Sequence, residues 1–173
     1  MAKKTVYIFD ASAFITLHQH NTRVITLPQA IWDELATMMS TGAIISHKYV
    51  YEEIVSESTE NPDFITEWLL TKKAYFENET IEQAVEVAAI IEKFPKLIDP
   101  EKEKEQADPW IVAQAIILDR QTSLLEETEY VIVTQESQNS SKKIPAVCKQ
   151  FKVRCITLKD FFDETGIKVE KSS

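Results

Sequence analysis

Glycine is nearly missing from this chain. Two in 173 residues cannot build a GxGxxG dinucleotide loop or a GxxxxGK[ST] phosphate loop, because both use several glycines to bring backbone N–H groups against phosphates. That argues against nucleotide cofactors. Cysteine is as scarce: Cys148 and Cys155 lack CxxC spacing and sit in apolar contexts, which predicts buried thiols and neither a disulfide nor a metal pair. The three histidines, His18, His20 and His47, form no ligand set with them and read as ordinary helix or loop residues. No apolar run approaches the roughly 18 residues of a membrane span. The start, MAKKTVYIFDASAF, turns acidic too early for a signal peptide. A soluble cytoplasmic protein with no membrane partner is expected.

Basic charge is also in deficit. The net charge of -9 excludes a protein that coats nucleic acid by bulk attraction. The imbalance is local, however. Residues 136–173 carry eight Lys or Arg against five Asp or Glu, whereas residues 1–135 carry eleven against twenty-three. A basic border beside an acidic body is compatible with this, and so is plain solvation of exposed faces.

What the chain does have is 44% hydrophobic residues, enough at this length for one buried core, in short strands alternating with helices. TVYIF (5–9) reads as a strand and is followed by a helix from Ala11 to about His20. Pro28 suits a first helical position for QAIWDELATMM, and Gly42 stops that helix. A short apolar run, AII (43–45), precedes Ser46, which reads as the cap of HKYVYEEIV. Asn61 with Pro62 is expected to start a helix through DFITEWLL, and Thr80 with Gln83 to form a capping box for IEQAVEVAAIIEKF. Beyond a charged loop comes a helix over about 109–119, apolar on every side except at Gln114. YVIVT (130–134), IPAVCKQF (144–151), VRCIT (153–157) and LKDFFDE (158–164) then repeat strand and helix. Such alternation predicts an α/β layered fold with a mostly parallel sheet.

Carboxylates at four places in the chain draw attention. Asp10 follows the first strand, Glu136 lies just past the third, Asp108 precedes Pro109 at the head of the apolar helix, and Glu52 and Glu53 flank the apolar stripe of their helix symmetrically. Each has a structural explanation alone: Asp108 suits a helix N-cap, and Asp commonly ends a strand. Together they would converge on one edge of one sheet, where open α/β folds place their sites. Two unit charges 4 Å apart repel by roughly 4 kcal/mol at an effective dielectric of 20, a heavy burden for folds worth about 5–15 kcal/mol. Such a cluster calls for a cation, and hard oxygen donors without His or Cys select Mg²⁺ or Mn²⁺ over Zn²⁺.

YIFDASAFI, ISHKYVYEEIV, ADPWIVAQA and VIVTQE, in that order and spacing, resemble the four acidic motifs of the PIN-domain nucleases, which include VapC-type toxins. The closing KIPAVCKQFKVRCITLKDFF resembles a bacterial and archaeal branch of that superfamily, so the likeness runs from residue 5 to about 163. It implies a single-domain α/β/α sandwich over residues 1–166, a helical insertion at 58–104, and a charged tail at 167–173. It further implies a metal-dependent ribonuclease, the toxin of a toxin–antitoxin pair, with RNA as substrate, a cognate antitoxin as partner and a homodimeric assembly. By the resemblance Asp10, Asp108, Glu53 and Glu136 are the catalytic, metal-binding acids. Ser12 and Thr134 match the hydroxyl positions that orient them. Glu136 departs from the pattern, which usually has Asp there. Lys142, Lys143, Arg154 and Lys159 are candidates for the basic border. The alternative is a catalytically silent PIN-like binding module. A haloacid dehalogenase-type phosphatase would need Asp where Ser12 stands, and a phospho-receiver would need an acidic pair before Asp10.

Overall fold

The computed structural model describes residues 3–20, 28–56, 62–122 and 127–169. Asn61 and the side chain of His20 lie outside the described residues. Five parallel strands form one sheet: β1 (Lys4–Phe9), β2 (Ile44–His47), β3 (Phe76–Glu77), β4 (Thr128–Val133) and β5 (Arg154–Ile156), in the order β3-β2-β1-β4-β5. Helices α1 (Ala11–His20), α2 (Gln29–Ser40), α3 (Lys48–Ser56), α4 (Phe64–Leu70), α5 (Ile81–Lys93), α6 (Ala107–Thr122), α7 (Ile144–Phe151) and α8 (Leu158–Thr165) connect and cover the strands. This is the expected α/β/α sandwich with a parallel sheet. No helix among the described residues is long and apolar enough to cross a membrane.

β1 and β4 form the spine, paired from Lys4↔Thr128 to Phe9↔Val133. Phe9, Phe14 and Phe161 interlock beneath their carboxyl ends, while Trp32 and Leu35 fill the space under α2. From Trp110 to Ile117 α6 has no polar stripe because that stretch has no wet face: all eight residues are buried. The one polar member of that buried stretch, Gln114, points inward and donates to the Ser46 carbonyl (3.3 Å) and to Glu77 Oε2 (2.9 Å). The Thr80–Gln83 capping box forms, with Gln83 N donating to Thr80 Oγ1 and Thr80 N to Gln83 Oε1. Gly42 adopts φ 73° behind α2, a left-handed value that glycine tolerates and that lets the next N–H groups close on Met38 and Met39.

Several local expectations change. Ser46 is not a helix cap; β2 continues through it to His47, and its buried hydroxyl donates to the Phe9 carbonyl at 2.6 Å, tying β2 to β1. α4 is capped by Asp63, which accepts from Thr66 N, and starts two residues later than Pro62 would place it. Asp108 lies inside the first turn of α6, which starts at Ala107; Pro109 is tolerated there because the first N–H groups of a helix need no intrahelical partner. The segment expected as a helical insertion also supplies β3, whose pairing with β2 makes it the sheet's edge strand. Cys148 and Cys155 are both free thiols, the first buried and the second half-buried.

Candidate acidic centre

The strand order reverses direction between β1 and β4: the chain builds outward from β1 to β2 and β3, then returns to add β4 and β5 on its other side. At such a switch point two connections diverge and leave a crevice beyond the carboxyl ends of the strands. Asp10 follows β1 there and Thr134 follows β4, side by side because Phe9 pairs with Val133. Asp10 is 2% exposed. Its Oδ2 accepts from Ser12 Oγ (2.7 Å) and Thr134 Oγ1 (3.0 Å), and the two hydroxyl oxygens lie 3.0 Å apart. Those hydroxyls in turn accept from the backbone: Gln135 N donates to Ser12 and Glu136 N to Thr134. The turn after β4 is thus laced to the acid after β1, and Ser12 and Thr134 are the residues that hold Asp10 in orientation.

Asp108 arrives from the first turn of α6, a position favoured for an acid by the helix dipole. Burial first, and then the charges of Asp10, Glu136 and Glu53, push its carboxyl up to about 8, against a smaller opposing pull from Lys143. Asp10 is likewise raised, chiefly by burial and further by Glu136, while its hydrogen bonds from Ser12 and Thr134 work the other way. The four acids therefore meet in one field. Of the Glu52–Glu53 pair, Glu53 is the one whose charge counts among the causes that raise Asp108, and both line a cavity beside α3.

Glu136 is engaged at both oxygens. Oε2 accepts from Ile144 N (2.9 Å) at the start of α7, and Oε1 pairs with Lys143 Nζ at 3.1 Å. The extra methylene relative to Asp gives it the reach for that double role. Among the described residues no three His, Cys, Asp or Glu side chains stand close enough together to cage a metal ion.

The four basic candidates separate. Lys143 sits at the centre, its ammonium favoured by Glu136 and also by Asp108 and Asp10. Lys142 is its exposed neighbour. Lys159, at the start of α8, pairs with Asp163 at 2.6 Å. Arg154 is on the wrong side for a border: its register with Val131 puts it level with Tyr7, three residues or roughly 10 Å before Asp10 along the sheet. There it pairs with Glu164 and Glu129.

His47 is not the ordinary helix or loop residue expected of it; it occupies a specific place at the end of β2. It is fully buried and stacked on Trp110 at 5.4 Å. Tyr49 N donates to its Nδ1, which leaves the ring proton on Nε2, facing Gln83 Oε1 at 3.3 Å. Burial holds its pKa down at about 4. The folded state thus refuses a proton that the unfolded chain takes up near 6.5, so this neutral ring supports the fold fully above pH 6.5 and the support is lost as pH falls towards 4. A His47→Gln variant is expected to show a shallower fall of the thermal midpoint between pH 6.5 and 4 than the wild type; parallel curves would contradict the assignment. The only sequence signal for this residue is its position just past an apolar run.

Residues 7–169 match the model of a family described as a domain of unknown function, DUF4411. No curated protein matches the chain in sequence. Among solved structures it is similar to that of VapBC2 from Rickettsia felis bound to a DNA fragment from their promoter, at 13% identity and a TM-score of 0.48, over 88% of this chain and 98% of that one. It is similar also to PAE2754 from Pyrobaculum aerophilum, at 12% identity and a TM-score of 0.48, over 95% and 99% of the two chains.

Proposed function

We propose that this chain, which belongs to the DUF4411 family, is a divalent-metal-dependent ribonuclease that hydrolyses RNA phosphodiester bonds. The observation that carries the reading is the crowding of Asp10 and Asp108 at the switch point of the sheet, where burial and neighbouring charge hold the Asp108 carboxyl at about 8. Ionising such acids together costs free energy that a bound cation offsets. The donors are hard oxygens, which suit Mg²⁺ or Mn²⁺, and Mg²⁺ is commonly held by one or two carboxylates with water and substrate phosphate completing its shell. A two-carboxylate centre is therefore sufficient.

Asp10 and Asp108 would hold the ion, with Glu53 at the exposed side of the centre. When bound, the cation supplies Lewis acidity towards a phosphate oxygen and offsets the charge that develops during hydrolysis. Ser12 and Thr134 keep Asp10 from rotating. Glu136 holds Lys143 beside the acids, where its ammonium can meet a phosphate oxygen, and fixes the start of α7. Lys142 adds charge at the rim. The motif resemblance extends the proposal to a toxin with a cognate antitoxin and a homodimeric assembly.

The test is incubation of the wild-type protein with single-stranded RNA in Mn²⁺, in Mg²⁺ and in chelator. Cleavage in either metal and none in chelator is expected; intact RNA under all three conditions would overturn the reading. Two observations favour the second reading, a catalytically silent RNA- or protein-binding module: the absence of a three-acid cage among the described residues and the engagement of both Glu136 oxygens. Under that reading Mn²⁺ leaves the thermal midpoint unchanged.

A further inference from the structure

Glu136 joins the acidic centre through its backbone and leaves it through its side chain. Its N–H donates to Thr134 Oγ1 (3.2 Å), which donates to Asp10 Oδ2 (3.0 Å), so the residue is fixed two hydrogen bonds from the buried aspartate. Its carboxylate, 13% exposed, turns instead to the head of α7. There Oε2 accepts from Ile144 N at 2.9 Å, and Oε1 meets Lys143 Nζ at 3.1 Å. Lys143 precedes the helix and its own side chain makes no cap bond, while Pro145 in the first turn has no N–H. Glu136 therefore caps α7 from eight residues away. Swinging it onto a metal would strip the Ile144 N–H of its acceptor and Lys143 of its counter-charge.

Two-ion nuclease sites hold their cations about 3.5–4 Å apart, as a clamp on the attacking and leaving oxygens, and ions so close need carboxylates that face both. Among the described residues no three acids come together in that way, and Glu136 is committed to α7. An ammonium stands there instead. Lysine has three N–H donors; Glu136 takes one, and half of the Lys143 side chain is open to solvent, so the others can face a phosphate. Glu136 first, and then Asp108 and Asp10, hold the amine in its charged form.

We propose that the Lys143 ammonium takes the place of a second divalent cation, held beside the centre by Glu136, so that the centre binds a single ion and Glu136 is a positioning residue and not a metal ligand. The inference rests on the metal-dependent reading above. It adds how many ions the site takes and which side chain stands in for the other.

Calorimetric titration of the full chain with Mn²⁺ counts the ions. The wild type is expected to bind one per chain, and two would overturn the inference. Lys143→Ala releases Glu136 Oε1 and is expected to admit a second, weaker ion, whereas Lys143→Arg, which keeps the cation, should stay at one. A folded Lys143→Ala chain that still binds one ion would overturn the inference as well. Binding of single-stranded RNA in Ca²⁺, followed against salt, reads the ammonium directly. Each phosphate neutralised on a single strand contributes about 0.7 to the slope of log affinity on log salt, so Lys143→Ala should flatten the slope by about that amount and Lys143→Arg should leave it unchanged. An unaltered slope in Lys143→Ala would take Lys143 off the phosphate and overturn the inference too. Circular dichroism verifies the fold of each variant, and the wild-type count stands as a readout if one does not fold. Cleavage in Mn²⁺ is scored separately: one bound ion without cleavage sinks the hydrolytic reading alone, and cleavage with two bound ions sinks this inference alone. No bound ion sinks both.

Discussion

Replacing Asp108 by asparagine is expected to raise the stability of the metal-free protein at pH 8 while abolishing metal-dependent cleavage. The two effects share one cause. In the folded chain the Asp108 carboxyl is raised to about 8 by burial and by Asp10, Glu136 and Glu53, from an ordinary value of 3.8. Between those values the folded state holds a proton that the unfolded chain has released, so metal-free stability falls as pH rises through that window. Each tenfold difference in proton affinity between the folded and unfolded chain corresponds to about 1.4 kcal/mol, and the partial solvent access of Asp108 reduces the sum to on the order of 2–4 kcal/mol. Asparagine carries no charge to be penalised and forfeits only the roughly 0.3–1 kcal/mol of an acid in a first helical turn. At about 2–4 °C per kcal/mol for a domain of this size, the variant should melt some 5–10 °C above the wild type at pH 8 in chelator, with the difference closing towards pH 4. Adding Mn²⁺ should reverse the order, because only the wild type retains both carboxylates. Cleavage should fall beyond the roughly 10–100-fold caused by changes to residues that merely support metal ligands. A variant that melts below the wild type at pH 8 without metal would show that no charge crowding exists.

Truncating Phe161 to alanine should be the most damaging single change away from the acids. Its ring is fully buried on α8 and meets Tyr7 and Phe9 edge-on at 4.9 and 5.0 Å, so it joins the last helix to the first strand. Phe9 precedes Asp10 and also packs on Phe14 at the start of α1. A large-to-small change in such a core costs about 3–5 kcal/mol, because the transfer free energy of the ring is lost and a cavity is left behind. A drop of roughly 10 °C or more in the melting midpoint is expected. Phe161→Leu, which keeps most of the volume, should lose less than half as much. Equal losses for the two would mean that ring volume is not what joins α8 to β1.

Much of the candidate site is visible in the linear sequence because its cues are local. An apolar run of four or five residues followed by Asp10 or by Thr134 and Glu136 marks a strand end. A helix apolar on all faces marks burial, as α6 bears out. The Thr80–Gln83 capping box is a bond pattern closed within one turn. The same local rules fail where a partner from elsewhere competes. Ser46 has the chemistry of a helix cap, but its hydroxyl donates to the Phe9 carbonyl instead, and β2 runs on. Arg154 has the charge to meet a phosphate, but the register of β5 sets it at the other end of the sheet, among Glu129 and Glu164.

Strand–helix alternation, the positions of the acids along the chain and the hard-oxygen character of the donors follow from the sequence alone, since each depends on residues a few places apart. The tertiary structure decided the rest: that the sheet reverses its order between β1 and β4, that Glu136 is bound to Lys143 and α7, and that Tyr49, packed on Trp110, lies at a cavity beside α3. Those outcomes depend on which distant segments become neighbours. Periodicity within a segment is blind to that choice, because a residue at a strand end is the same in sequence whichever strand lies beside it.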